Sequence, residues 1–111
     1  MQIKSGIDII EVSRIQESVD DLGEKFVKKI FTEQEIKYCE SKNKNKYQHY
    51  AARFAVKEAV FKAISTLLTD KYSISWKNIE TLNDKNGKPV VKLVSLTKEV
   101  EKELDKITSI D

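Results

Sequence analysis

Tyr47-Gln48-His49-Tyr50-Ala51-Ala52-Arg53-Phe54-Ala55-Val56-Lys57-Glu58-Ala59-Val60-Phe61-Lys62-Ala63-Ile64-Ser65-Thr66-Leu67-Leu68 runs without a glycine or a proline. Its alanines, aromatics and aliphatics fall on almost every side of a helical wheel, which predicts a long helix buried at the centre of the fold. Upstream, Lys42-Asn43-Lys44-Asn45-Lys46 is a polar, propensity-poor linker. Before it, Thr32-Glu33-Gln34-Glu35 has the capping-box pattern, so a helix is expected from there to about Ser41. A second helical piece is expected over Phe26 to Phe31. Ile3, Ser5, Ile7 and Ile9 alternate as in a short strand, and Val12, Ile15, Val19 and Leu22 then follow at helical spacing until Gly23.

Downstream, Ser73 to Leu82 and Pro89 to Val94 carry period-two patterns, and Asn83 to Lys88 between them supplies turn formers, which predicts a hairpin. Leu96, Val100, Leu104 and Ile107 mark a last amphipathic helix, after which Thr108-Ser109-Ile110-Asp111 looks like a strand cut short. The expected class is α+β: one domain over residues 1–111, with a small antiparallel sheet against the central helix.

The 111 residues carry 20 Lys+Arg against 18 Asp+Glu, and 40% are hydrophobic. That is too apolar for a disordered tail, and no uncharged run is long enough to span a bilayer. The near balance of charge argues against a nucleic-acid binder, which needs clustered cations to displace counterions; the Lys42 to Lys46 loop is the only candidate for one. A chain of this length buries roughly two-thirds of its unfolded surface, so added burial against another subunit matters. Cys39 stands alone, which excludes an internal disulfide and fits a reducing cytoplasm. Met1 leads into Gln2-Ile3-Lys4-Ser5-Gly6 with no apolar stretch of a secretory signal expected behind it.

Glu58, Lys62 and Ser65 share one narrow strip of the central helix, flanked by Phe54 and Phe61. Charges there fit either a solvated i,i+4 pair, contributing about 0.2–0.5 kcal/mol, or a polar cleft in which Glu58 holds a cation and Lys62 an anion. Asp8, inside the apolar run Ile7-Asp8-Ile9-Ile10, either points to water or is compensated. Should Asp8 and Glu58 converge, two carboxylates and a lysine would suit Mg²⁺ and a phosphate, because Mg²⁺ takes one or two protein carboxylates and completes its shell with water and phosphate oxygens; spacing alone does not choose between this and the solvated readings. Arg53 and Lys57, four apart on another flank, are either solvated or in contact with an acidic ligand. His49, the only histidine, favours a structural or surface role, and Trp76 a core anchor. No phosphate-cradling glycine loop or serine-hydrolase elbow is present.

Three segments belong together: Gly6-Ile7-Asp8-Ile9-Ile10-Glu11-Val12-Ser13-Arg14-Ile15, Arg53-Phe54-Ala55-Val56-Lys57-Glu58-Ala59-Val60-Phe61-Lys62-Ala63, and Trp76-Lys77-Asn78-Ile79-Glu80 through Asn86-Gly87-Lys88-Pro89. In this order and spacing they resemble the holo-[acyl-carrier-protein] synthase family, the short bacterial-type 4′-phosphopantetheinyl transferases. The resemblance implies transfer of the phosphopantetheine arm of coenzyme A to a serine of apo acyl carrier protein, with release of adenosine 3′,5′-bisphosphate, in support of fatty acid biosynthesis. It implies Asp8 and Glu58 as Mg²⁺ ligands, Lys62 at the pyrophosphate, and Glu58 as first choice of general base with Glu35 second. Arg53 and the Asn86-Gly87-Lys88-Pro89 loop match the lining of the nucleotide site, and Arg14 matches the contact with the acidic carrier protein. A homotrimer with shared active sites is also implied. The family continues past the last helix into further strands, so a C-terminal strand is apparently missing here. The alternative reading is therefore a shortened homologue that binds carrier protein or coenzyme A without turnover.

Overall fold

The computed structural model describes residues 3–108, with side chains described for residues 12–106. Five helices and one hairpin follow in the order α1 (Ile3–Leu22), α2 (Glu24–Ile30), α3 (Glu33–Glu40), α4 (Lys46–Ser65), β1 (Ile79–Asn83), β2 (Pro89–Leu93) and α5 (Lys98–Thr108). The central helix α4 packs against α1, α3 and β1. This is the expected α+β arrangement, a small antiparallel sheet on a long helix.

The opening differs from its sequence reading. Ile3 to Ile9 belong to α1 rather than to a strand. Ile3, Ile7 and Ile10 also fit helical spacing, and the sheet of the described residues contains β1 and β2 alone. A strand without a partner leaves its ladder groups unmet, whereas a helix meets them locally. The segment from Ser73 also departs from expectation: Lys71–Ser73 and Trp76–Asn78 are 3-10 turns, and the strand begins only at Ile79. There the side chains of Asp70 and Asn78 accept from the backbone N–H of Tyr72 and Ser75, at 2.9 and 2.8 Å, competing with ladder formation.

Other local signals act as read. Thr32 and Glu35 form a reciprocal capping box: Thr32 N–H donates to Glu35 Oε1 at 2.8 Å, and Glu35 N–H to Thr32 Oγ1 at 3.3 Å. Gly23, at φ 63°, separates α1 from α2, and Gly87, at φ 82°, turns the hairpin in a left-handed conformation open to glycine at no steric cost. In that turn the Asp84 carboxylate accepts from the N–H groups of Asn86 and Lys88. The β1–β2 pairing runs from Ile79 opposite Leu93 to Asn83 opposite Pro89.

The main core gathers Ile15, Val27, Ile30, Phe31, Cys39, Tyr50 and Ala51. Full burial of each large side chain here contributes on the order of 1.5–3 kcal/mol. A second cluster of Leu68, Ile74 and Val100, with Phe61 and Leu104 against it, seats α5 on the end of α4. Trp76 lies between Phe54 and Phe61, with ring centroids 5.4 and 4.9 Å away.

Candidate functional site

Two faces of α4 carry the charged residues singled out in the sequence, and they are built differently. Lys57 is fully buried and ion-paired to the equally buried Glu35 at 2.8 Å. Its ammonium also donates to the carbonyl oxygens of Trp76, at 2.9 Å, and of Ile79. All three donors of the group are thus engaged. Glu35 uses both its oxygens: Oε1 takes Lys57 and the Thr32 N–H, and Oε2 takes the Thr81 N–H at 2.8 Å. Burial pushes the Lys57 pKa down and the Glu35 carboxylate pulls it back up. The pair locks α3, α4 and β1 together. It also removes Glu35 from contention as a general base, since neither oxygen is open to a substrate. The solvated reading of Lys57 and Arg53 is likewise overturned, because an apolar helix in contact on several sides turns both residues into the protein.

Arg53, one turn before Lys57, is 5% exposed. Its guanidinium carbon lies 4.1 Å from the centroid of the Tyr38 ring, and Nη2 donates to Asn83 Oδ1 at 3.5 Å. Arg53 lines a cavity of about 240 Å³ together with Tyr38, His49, Thr81, Gly87 and Pro89. Arg53 Nε and Thr81 Oγ1 are the buried side-chain polar atoms left without a hydrogen-bond partner among the described residues. Both belong to residues of this one cavity. Orphaned buried donors are costly, by about 1–3 kcal/mol each, unless a ligand or water meets them. The structure thus brings Arg53, Gly87 and Pro89 to one cavity, with Asn86 and Lys88 in the adjoining turn. His49 reaches the same cavity, its pKa lowered by burial and by the nearby charges of Arg53 and Lys42.

Glu58 and Lys62 lie elsewhere. At about 100° per residue, Glu58 is nearly opposite the line of His49, Arg53 and Val56 around α4. Glu58 is half-buried and Lys62 exposed, and no hydrogen bond or ion pair joins either to another described residue. The i,i+4 pair that would make this strip a bland solvated one is therefore not formed. Asp8 lies on α1 by its backbone, and its side chain falls outside the described residues. No group of three or more His, Cys, Asp or Glu side chains converges as a metal site among the described residues. Arg14 lies on the exposed side of α1. Cys39 is fully buried, its thiol pKa pushed up to about 12 chiefly by burial. No helix among the described residues is long and apolar enough to cross a membrane.

Sequence reasoning missed Tyr38, Thr81 and Asn83 in the cavity, and the Glu35–Lys57 pair. One signal for the pair was available: a lysine on an apolar face must find a buried acceptor or stay out of the core.

The family model of the 4′-phosphopantetheinyl transferase superfamily matches residues 4–108. The chain is 50% identical over 99 residues to the holo-[acyl-carrier-protein] synthase of Ruminiclostridium cellulolyticum, covering 89% of this chain and 72% of that protein. It is 44% identical over 96 residues to the holo-[acyl-carrier-protein] synthase of a Geobacter species, covering 86% of this chain and 74% of the relative. A third protein of that name, from Thermodesulfovibrio yellowstonii, is 45% identical over 95 residues, which is 86% of this chain and 80% of its own. With the match running through α1, the buried Arg53–Lys57 face of α4, the hairpin and α5, the chain belongs to the 4′-phosphopantetheinyl transferase superfamily.

Proposed function

We propose that this chain, acting as one domain over residues 1–111, transfers the 4′-phosphopantetheine arm of coenzyme A to a serine of apo acyl carrier protein. The observation that carries the reading, within the family, is the cavity where Arg53 Nε and Thr81 Oγ1 stand unpartnered beside the Gly87 turn. A nucleotide phosphate suits the guanidinium of Arg53 that lines this cavity, and the turn lets a ligand approach backbone closely.

The reaction forms a bond from the serine oxygen to the phosphorus on the pantetheine side of the diphosphate. The bond to the adenosine-side phosphate oxygen breaks, and adenosine 3′,5′-bisphosphate leaves. The serine proton passes to Glu58, directly or through a water, because Glu35 is fully engaged. Lys62 stands by the diphosphate and offsets the charge growing on the leaving group. A divalent cation fits the acidic side of this site: Glu58 offers a carboxylate with no partner among the described residues, and carboxylate oxygens suit a hard ion such as Mg²⁺. Asp8 and Glu58 would hold it, and the ion would supply further compensation of phosphate charge. Tyr47 donates to Asp20 at 3.3 Å, tying the end of α1 to the start of α4. Followed antiparallel from that anchor at equal rise, residue 8 comes level with about residue 59 of α4, which supports this pairing.

Arg53 and Glu58 are separated by the thickness of α4, roughly 10 Å. A site that uses both suits assembly from two copies of the chain, and β2 offers Val90, Val91 and Leu93 at 37–42% exposure for burial against another copy. We read the working form as a homotrimer in the cytoplasm, serving fatty acid biosynthesis, with Arg14 meeting the acidic carrier protein. Incubation with coenzyme A, Mg²⁺ and apo carrier protein, followed by intact mass spectrometry, tests the reading. The carrier should gain one phosphopantetheine group. An unchanged carrier mass with the folded protein present overturns turnover and leaves the binding-only alternative.

A further inference from the structure

The Arg53 cavity holds more cationic chemistry than one arginine. Tyr38, from α3, forms a wall, and three nitrogen groups converge on its ring. Lys42 Nζ is 4.7 Å from the ring centroid, the Arg53 guanidinium carbon is 4.1 Å away, and the His49 ring meets it edge-on at 5.5 Å and 76°. Asn83 Nδ2 donates to the Tyr38 hydroxyl at 3.0 Å, fixing the ring from the β1 side. The cavity's lining from the hairpin, Thr81, Asn83, Gly87 and Pro89, carries no charge, so the charges acting on His49 are Arg53, within the lining, and Lys42, over the Tyr38 ring beside it.

We propose that His49 acts with Arg53 and Lys42 as a phosphate reader, taking up a proton when a phosphate of the nucleotide donor enters the cavity. The inference rests on the transferase reading above. Its basis is the geometry: the His49 ring lines the same cavity as the Arg53 guanidinium, and burial together with the Arg53 and Lys42 charges holds its pKa below the ordinary imidazole value while the cavity lacks an anion. A phosphate reverses the sign of the local field. The imidazolium then gives a further N–H donor to an anion that Arg53 and Lys42 already attract. One proton moves from solvent to His49 on binding. With the pKa higher in the complex than in the free protein, affinity rises as pH falls through the complex's pKa and levels below that of the free protein.

His49 is the only histidine of the chain, so its ring C–H resonances stand alone in a proton–carbon NMR spectrum. Titration free, with saturating coenzyme A, and with saturating dephospho-coenzyme A tests the proposal. The pKa should rise by at least about one unit, a tenfold coupling, with coenzyme A. A rise with coenzyme A alone identifies the 3′-phosphate as the anion read; a rise with both identifies the diphosphate. An unmoved resonance while calorimetry shows coenzyme A bound overturns the phosphate reader and leaves the transferase reading standing. Absence of coenzyme A binding overturns both. In His49→Gln, proton uptake on binding, read by calorimetry in buffers of different ionisation heat, should vanish. Its affinity should fall several-fold near pH 6.5 and little near pH 8.5, because only the protonated imidazole is lost.

Discussion

Lys57 and Glu58 are neighbours in the chain and opposites in the structure. Lys57 is sealed in the core with every donor satisfied by Glu35, Trp76 and Ile79, while Glu58, about 100° further round α4, has a carboxylate with no partner among the described residues. One charge holds three elements in place; the other is held ready on the element so placed. The contrast shows how a helix hydrophobic nearly all round carries charges of two kinds, distinguished by what surrounds them rather than by their sequence neighbourhood.

Breaking the sealed side should have the largest effect. Lys57→Met strands the buried Glu35 charge and should cost about 3–5 kcal/mol, read from urea denaturation. Adding Glu35→Gln should recover part of that loss; no recovery would mean that the pair is not the clasp described. On the open side, Glu58→Gln should lower carrier-protein modification by about 10²–10⁴-fold. Its denaturation midpoint should barely move, a change within about 0.5 kcal/mol. Equal damage to stability and activity would erase the distinction between the two faces.

Smaller effects sharpen the picture. Arg53→Lys removes the planar fork and its stacking on Tyr38, and should weaken coenzyme A binding by about tenfold in calorimetry, with a smaller effect on the rate at saturating donor. Cys39 supplies the smallest signal. With its pKa raised to about 12, the thiol is overwhelmingly protonated at pH 8, so a disulfide reagent should react slowly with native protein and rapidly once denaturant lowers that pKa towards its ordinary value. Fast labelling of the native state would show that the α3–α4 packing opens readily.

Local chemistry was legible in the sequence and long-range pairing was not. Thr32 and Glu35 announced a capping box because both partners lie within one turn, and Gly87 marked the hairpin because its backbone requirement is its own. The second role of Glu35, as partner to Lys57 and to the Thr81 N–H, depends on three elements meeting, which no spacing encodes. Isoleucines at 3, 7, 9 and 10 satisfy both a strand and a helix period, and partner availability decides between them. Helical spacing already set Arg53 and Glu58 on different flanks of α4, whereas the burial of Arg53 against Tyr38 and the hairpin came only from the fold. Tyr38 went unnoticed because its use lies in the cations gathered over its ring.

Trp76, the sole tryptophan, is wedged between Phe54 and Phe61 while its carbonyl receives the Lys57 ammonium. The molecule therefore contains its own optical gauge. Indole emission, without any attached dye, reports whether the hairpin's lead-in remains seated on the central helix, so dislodging by mutation, denaturant or heat becomes visible as a red shift from one known position.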